Sequence, residues 1–219
     1  MATARGQIGD GCSIGPSVVV GAGVTLGRDV TLHAGAVVEH ARLGDGVIVG
    51  PGSVVGSDGF GFEPVVDAAA PGGLRWARKE QTHGVVMEAG SEIGALCTVN
   101  RGSWRDTLVG DGCKLDSQVH IGHNVVLGSS VLICAQTGIA GSVTVGARTR
   151  IGGQVGVAQH VTIGRDVSIA AQSGVTKDVP DGATVGGSPA VPMTQYHRQT
   201  VSLAAMAKRK AAEVYGDAE

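Results

Sequence analysis

Aromatic side chains are scarce, six in 219 residues or 3% of the chain. Phe60, Phe62, Trp76, Trp104, Tyr196 and Tyr215 all fall outside the regular pattern described below, so the interior this chain builds is too narrow for rings. An excess of one charge is also missing. Lys and Arg number 17 against 19 Asp and Glu, a net charge of −2, which gives no case for a nucleic-acid surface. No apolar run reaches the roughly 18 residues of a membrane span, and the opening MATARGQIGDG has no apolar stretch of signal-peptide length. A cytoplasmic location is expected. The four cysteines have the spacing of neither a zinc knuckle nor a disulfide framework. Cys12, Cys97 and Cys113 each fall four places after an aliphatic residue, where a reduced, buried thiol acts as a small hydrophobe.

Glycine, by contrast, is abundant at 37 residues, well above the usual share of about 7%. Corners that need positive φ would account for it. The second abundance is periodic. Steps of six from Val109 reach Leu115, Ile121, Leu127, Ile133, Ile139, Val145, Ile151, Val157, Ile163, Ile169 and Val175, every one aliphatic. Four places after most of them stands a second small or branched residue, among them Val119, Val125, Val131, Thr137, Val143 and Thr149. Such regularity marks a solenoid, whose units bury apolar surface only by stacking on their neighbours. Six residues match one flat side of a three-sided coil, so the spacing predicts an all-β solenoid, a parallel β-helix in which residues 18 apart stack at about 4.8 Å.

The pattern begins at Ile8 and slips by one residue at Arg42, the counterpart of a bulge. Residues 57–85 lose the period and are expected to leave the coil as a loop, either the wall of a binding cleft or a tolerated insertion. The ten-residue step from Val99 to Val109 holds a smaller bulge, RGSWRDT. About eight coils result, near 40 Å of prism. The β-helix domain is placed at 1–189 and a helical extension at 190–219, with Tyr196, Thr200, Leu203, Ala207, Ala211 and Val214 on one helix stripe. Arg198, Lys208, Arg209 and Lys210 make that helix basic, either as a solvated face or as a dock for an acidic partner.

The stacking period also sorts the histidines. His123 lies two places after inward Ile121; one coil on is Gly141, and two coils on is Gln159, beside His160. An imidazole able to take a proton and a fixed backbone N–H able to hold an oxyanion are what acyl transfer needs. A surface histidine is the alternative. Asp116, seven residues earlier, could hold the imidazole in its productive tautomer or could simply follow Leu115 in a turn. His120 reads as exposed. No metal site is expected, because ligands on one ion stand only about 2.0–2.1 Å from it while His123 and His160 are about two strand spacings apart.

The runs GSDGFGF (56–62), TVNRGSWRDTLVGDGCKLDSQVHIGHNVVLG (98–128), GIAGS (138–142) and VGGSPAVP (185–192) resemble the UDP-3-O-(3-hydroxyacyl)glucosamine N-acyltransferases of lipid A biosynthesis. The likeness runs over nearly the whole chain and implies a left-handed β-helix, a homotrimer with clefts between neighbouring prisms, and no bound cofactor. By it His123 corresponds to the catalytic base, the Gly141 N–H to the oxyanion donor, His160 to a histidine near the acyl-carrier arm, and Asp116 to an aspartate beside the base. It implies a 3-hydroxyacyl group delivered on the phosphopantetheine of acyl carrier protein and a UDP-amino-sugar acceptor whose lipid chain could bring the enzyme to the inner membrane. Gln159, Phe60, Phe62 and Trp104 are expected to contact the substrate. The family carries a separate N-terminal domain that grips uridine; here the coil starts at once and that domain is expected to be missing. Ser103-Trp104-Arg105 replaces a smaller, more acidic bulge, and Ser117 an Asn. An acetyl-CoA-dependent nucleotide-sugar N-acetyltransferase and a non-catalytic β-helix paralogue are the rival readings.

Overall fold

A computed structural model describes residues 6–187 and 191–215, with side chains of the last five of these left aside. Two-residue strands recur every six residues and stack into three parallel sheets of eight, nine and eight strands. The first face runs from Gln7–Ile8 to Thr162–Ile163, the second from Ser13–Ile14 to Thr184–Val185, and the third from Val19–Val20 to Gly174–Val175. Register follows the eighteen-residue period, with His120 opposite Gly138 and Ile121 opposite Ile139. The slip near Arg42 is a coil one residue short: Thr31 pairs with Ile48 and Leu32 with Val49, 17 apart.

Beyond the first coil and as far as Val179, both predicted inward positions of the regular units are buried. Ile121, Leu127 and Ile139 are at 0% exposure, and so are Val125, Val143 and Thr149. Cys97 and Cys113 fill two of these positions, and burial pushes both thiols above their ordinary pKa. Ile8 and Ile14 hold the same register but are exposed in the first coil, since an inward side chain is covered only when coils lie on both sides of it.

The expected reason for the glycines needs correcting. Most positive-φ corners in the regular coils are occupied by other residues, including Asn124, Gln136, Gln154 and His160. The glycines that follow the inward aliphatics have a different cause: a Cβ on Gly128 would come within 2.7 Å of the Ala147 nitrogen, and one on Gly146 within 2.4 Å of the Arg165 nitrogen. Close stacking of coils, rather than handedness of the corner, excludes a side chain there.

Residues 57–85 do leave the coil, but as more than a loop. Thr98 pairs with Val54, 44 residues earlier instead of 18. The excursion forms an antiparallel hairpin, Phe62–Val66 against Leu74–Arg78, closed by a short helical turn at Pro71–Gly73. Its Phe62, Pro64, Val66, Leu74, Trp76 and Arg78 share one face by cross-strand register. The bulge after Asn100 inserts four residues, since Val85 pairs with Thr107, 22 away. By contact density the chain divides into Met1–Gly187 and Ser188–Glu219; the second unit contains the helix Met193–Tyr215. Among the described residues no helix is long and apolar enough to cross a membrane. Ala211, Val214 and Tyr215 lie outside the described side chains, and part of the VGGSPAVP run lies outside the described residues.

Candidate active site

Strands of the third face alternate a buried aliphatic with an outward residue. In three successive coils the outward residues are His120, Gly138 and Gly156. A Cβ on either glycine would meet nothing within 4 Å, so these positions leave the face bare without being required to by the coil. Over this floor lies a cavity of about 550 Å³ lined by Phe60, Asn100, His120, His123, Gly141 and Gln159, among others. Phe60, just before the hairpin, supplies part of the cavity wall, and Phe60, Phe62, Trp76 and Gln159 line a second, adjoining space of about 460 Å³.

His123 stands at the corner where the third face turns into the first, half-buried between two glycines. A Cβ on Gly59 would fall 2.7 Å from the His123 Cβ, and one on Gly141 would fall 2.6 Å from both Cε1 and Nε2. The imidazole edge carrying Nε2 therefore lies against the Gly141 backbone, the relation expected from the eighteen-residue spacing. The Gly141 N–H has no acceptor among the described residues, whereas the next residue, Ser142, donates its N–H to the His123 carbonyl.

The other ring nitrogen corrects the reading of Asp116. His123 Nδ1 lies 2.8 Å from Asn124 Oδ1. Asp116 is on the turn after the second face, where its carboxylate accepts the N–H groups of Ser117 at 2.7 Å and Ala135 at 3.2 Å; it ties two coils together and does not touch the imidazole. His160 is exposed, with its own N–H donated to the Gly141 carbonyl at 3.1 Å, and its side chain is not among those lining the cavity; Gln159 is. Trp104 is also away from both cavities, its ring covered by the Arg105 guanidinium at 4.6 Å.

Four contributors escaped the sequence reading. Asn124, wholly buried, follows His123 in the chain and was hidden by being its neighbour. Gly59 sits in the GSDGFGF run, where only contact with His123 shows why a side chain is excluded. Asn100 donates to Ser57 Oγ at 3.0 Å and the Asp58 carbonyl at 3.2 Å, tying the hairpin root to the cavity it lines. His120 opens to solvent, yet the walls around it withdraw enough water to lower its pKa by desolvation. Among the described residues no three His, Cys, Asp or Glu side chains converge as ligands for a metal.

Residues 6–40 and 106–141 match the family model described as bacterial transferase hexapeptide (six repeats). Over those residues the chain carries the repeats that this model describes. It is 45% identical over 178 residues to a UDP-3-O-acylglucosamine N-acyltransferase of Azorhizobium caulinodans, covering 81% of this chain and 48% of that one. A protein of the same name from Methylorubrum extorquens is 43% identical over 176 residues, 80% of this chain and 48% of its own. The hexapeptide-repeat chain thus spans about half the length of these relatives. Among solved structures, UDP-N-acetylglucosamine O-acyltransferase of Moraxella catarrhalis superposes with a TM-score of 0.73 at 23% identity, covering 100% of this chain and 85% of that one. The shared fold is the left-handed parallel β-helix that the family resemblance implies.

Proposed function

We propose that this chain is the acyl-transferring β-helix of an N-acyltransferase, which moves a 3-hydroxyacyl group from the phosphopantetheine of acyl carrier protein to the 2-amine of a UDP-3-O-acylglucosamine. The observation that carries the reading is the contact of the His123 ring edge bearing Nε2 with the backbone of Gly141, whose N–H has no acceptor among the described residues, beside an open cavity. The names of the two relatives supply the sugar and the bond.

In this reaction His123 Nε2 takes a proton from the amine as the amine nitrogen attacks the thioester carbonyl. The Gly141 N–H donates to the oxyanion of the tetrahedral intermediate. Collapse re-forms the carbonyl, breaks the carbon–sulfur bond and returns the proton from the imidazolium to the departing thiolate. The bare glycine floor beside His120 offers room for an acyl chain, and the aromatic wall of Phe60, Phe62 and Trp76 offers apolar surface. Phe60 and Trp76 are 86% and 70% exposed, which supports a homotrimer in which a neighbouring prism closes the cleft. The helix carries Arg198, Lys208, Arg209 and Lys210 with no Asp or Glu between residues 193 and 210, which suits an acidic carrier protein.

Mass spectrometry of products, after the chain is offered 3-hydroxyacyl carrier protein or acetyl-CoA with the UDP-amino-sugar, tests the proposal. The 3-hydroxyacyl amide is expected, and His123→Ala should slow its formation by about 10² to 10⁴. An acetylated product alone, or none with either donor, would refute it.

A further inference from the structure

The bulge Asn100–Asp106 is four residues longer than the coil requires, and two of its residues, Ser103 and Arg105, converge on a residue that the reaction never touches. Asn124 is fully buried at a positive-φ corner. Its Nδ2 donates to the Arg105 carbonyl at 2.9 Å. Its Oδ1 accepts from Ser103 Oγ at 2.8 Å and faces the Ser103 backbone N–H at 3.4 Å. The Arg105 guanidinium then grips the Asn124 carbonyl with Nε at 3.0 Å and Nη2 at 2.7 Å, while its plane lies over the Trp104 ring.

These contacts fix which way the amide points. A backbone carbonyl can only accept, so the atom facing Arg105 is the NH₂ group; a backbone N–H can only donate, so the atom facing Ser103 is the oxygen. That same oxygen lies 2.8 Å from His123 Nδ1. An oxygen acceptor there obliges Nδ1 to carry the hydrogen, which leaves Nε2, on the Gly141 side, with its lone pair. A flipped amide would set the imidazole in the other tautomer, with Nε2 protonated and unable to act as a base.

We propose that Ser103 and Arg105 are positioning residues for His123, acting through Asn124 to select the tautomer with a free Nε2: the Ser103 hydroxyl donates to the amide oxygen, and the Arg105 guanidinium, anchored on the Asn124 main-chain carbonyl, keeps its own backbone carbonyl against the amide NH₂. Asp116, the residue whose type would suit this role, is engaged elsewhere, and a neutral amide braced from the bulge does the work instead. The consequence rests on the acyl-transfer reading; the tautomer itself does not.

The test uses the full chain labelled with ¹⁵N-histidine, the His123 signals being assigned by their loss in His123→Ala. Wild type should show a pyrrole-like Nδ1 and a pyridine-like Nε2. Ser103→Ala and Arg105→Gln should both shift these signals toward a mixture of tautomers and lower kcat by about tenfold, the worth of one or two hydrogen bonds in a barrier, with KM unchanged. Ser103→Thr, which keeps the hydroxyl, should restore both. If Arg105→Gln does not fold, the Ser103 pair decides the matter alone. Unchanged ¹⁵N shifts and kcat in folded Ser103→Ala, or an Nε2-protonated wild type, would overturn the proposal. A correct tautomer in a wild type that transfers no acyl group would refute the function and leave the positioning intact.

Discussion

Gly141 and His123 stand one rung apart, so close that a Cβ on the glycine would be 2.6 Å from the histidine Nε2. Gly141 has an ordinary φ and could accept alanine in an isolated coil; the neighbouring imidazole is what excludes it. Gly141→Ala should therefore keep the fold, read by circular dichroism, while displacing the ring and lowering kcat by about a hundredfold, the cost of a misplacement near 1 Å. Gly138→Ala, where a Cβ meets open space, should leave His123 in place and raise KM instead. Equal kcat losses in the two variants would contradict this account.

Thr137 occupies an inward position that the repeat normally gives to Val. Its buried hydroxyl donates to the Gly152 carbonyl at 2.8 Å and accepts the Val155 N–H at 3.2 Å, stitching one coil to the next. Thr137→Val is nearly isosteric and more apolar, yet it removes the hydroxyl from both groups. Urea unfolding should show a loss of about 1–3 kcal/mol, and a more stable variant would show that the hydroxyl is only tolerated.

Four exposed amides, Gln118, Gln136, Gln154 and Gln172, form a ladder up one corner, the upper three each donating to the one below at 2.7–2.9 Å. Each also holds a positive φ, 60° at Gln136, a conformation that costs a non-glycine residue about 1–2 kcal/mol. Gln136→Ala keeps that cost and loses two amide bonds, so it should destabilise by about 1 kcal/mol. Gln136→Gly loses the bonds but also the strain, and should unfold within about 0.5 kcal/mol of wild type. A less stable glycine variant would reverse the assignment.

Asp106 braces the base of the bulge. It accepts the Gly84 N–H at 2.8 Å and the Arg42 guanidinium at 2.8 Å, with His83 at 3.7 Å. These hold its carboxyl below the usual range, the Gly84 N–H most of all, against an opposing effect of burial. A depressed folded-state pKa gives stability that is present above the unfolded value of about 3.9 and lost as pH falls through the lower one. The stability gap between wild type and Asp106→Asn, from urea midpoints, should be widest at neutral pH and narrow steadily below pH ~4. A gap that widens in acid would refute the assignment.

The stacking of His123 on Gly141, the inward residues and the one-residue slip at Arg42 were all legible along the chain. In a parallel β-helix, hydrogen bonding between coils locks sequence separation to spatial height. His123 and Gly141, or Thr31 and Ile48, are therefore neighbours by counting. The same counting misassigned the glycines, because it registers where they recur but not whether a backbone turn or an adjacent coil demands them.

Where the chain departs from its period, that lock is gone. Phe62 meets Arg78 and Pro64 meets Trp76 through a hairpin of its own, and Ser103 reaches Asn124 from a bulge with no fixed height. The partner of His123 Nδ1 shows the difference best. By residue type Asp116 is the better acceptor, yet Asn124 fills the role, because it alone shares the corner with the imidazole and is held there by groups 19 to 21 residues distant along the chain. Distances along a sequence set stacking; which of two nearby oxygens faces a ring depends on side-chain contacts that arise only once the coils and their insertions have packed.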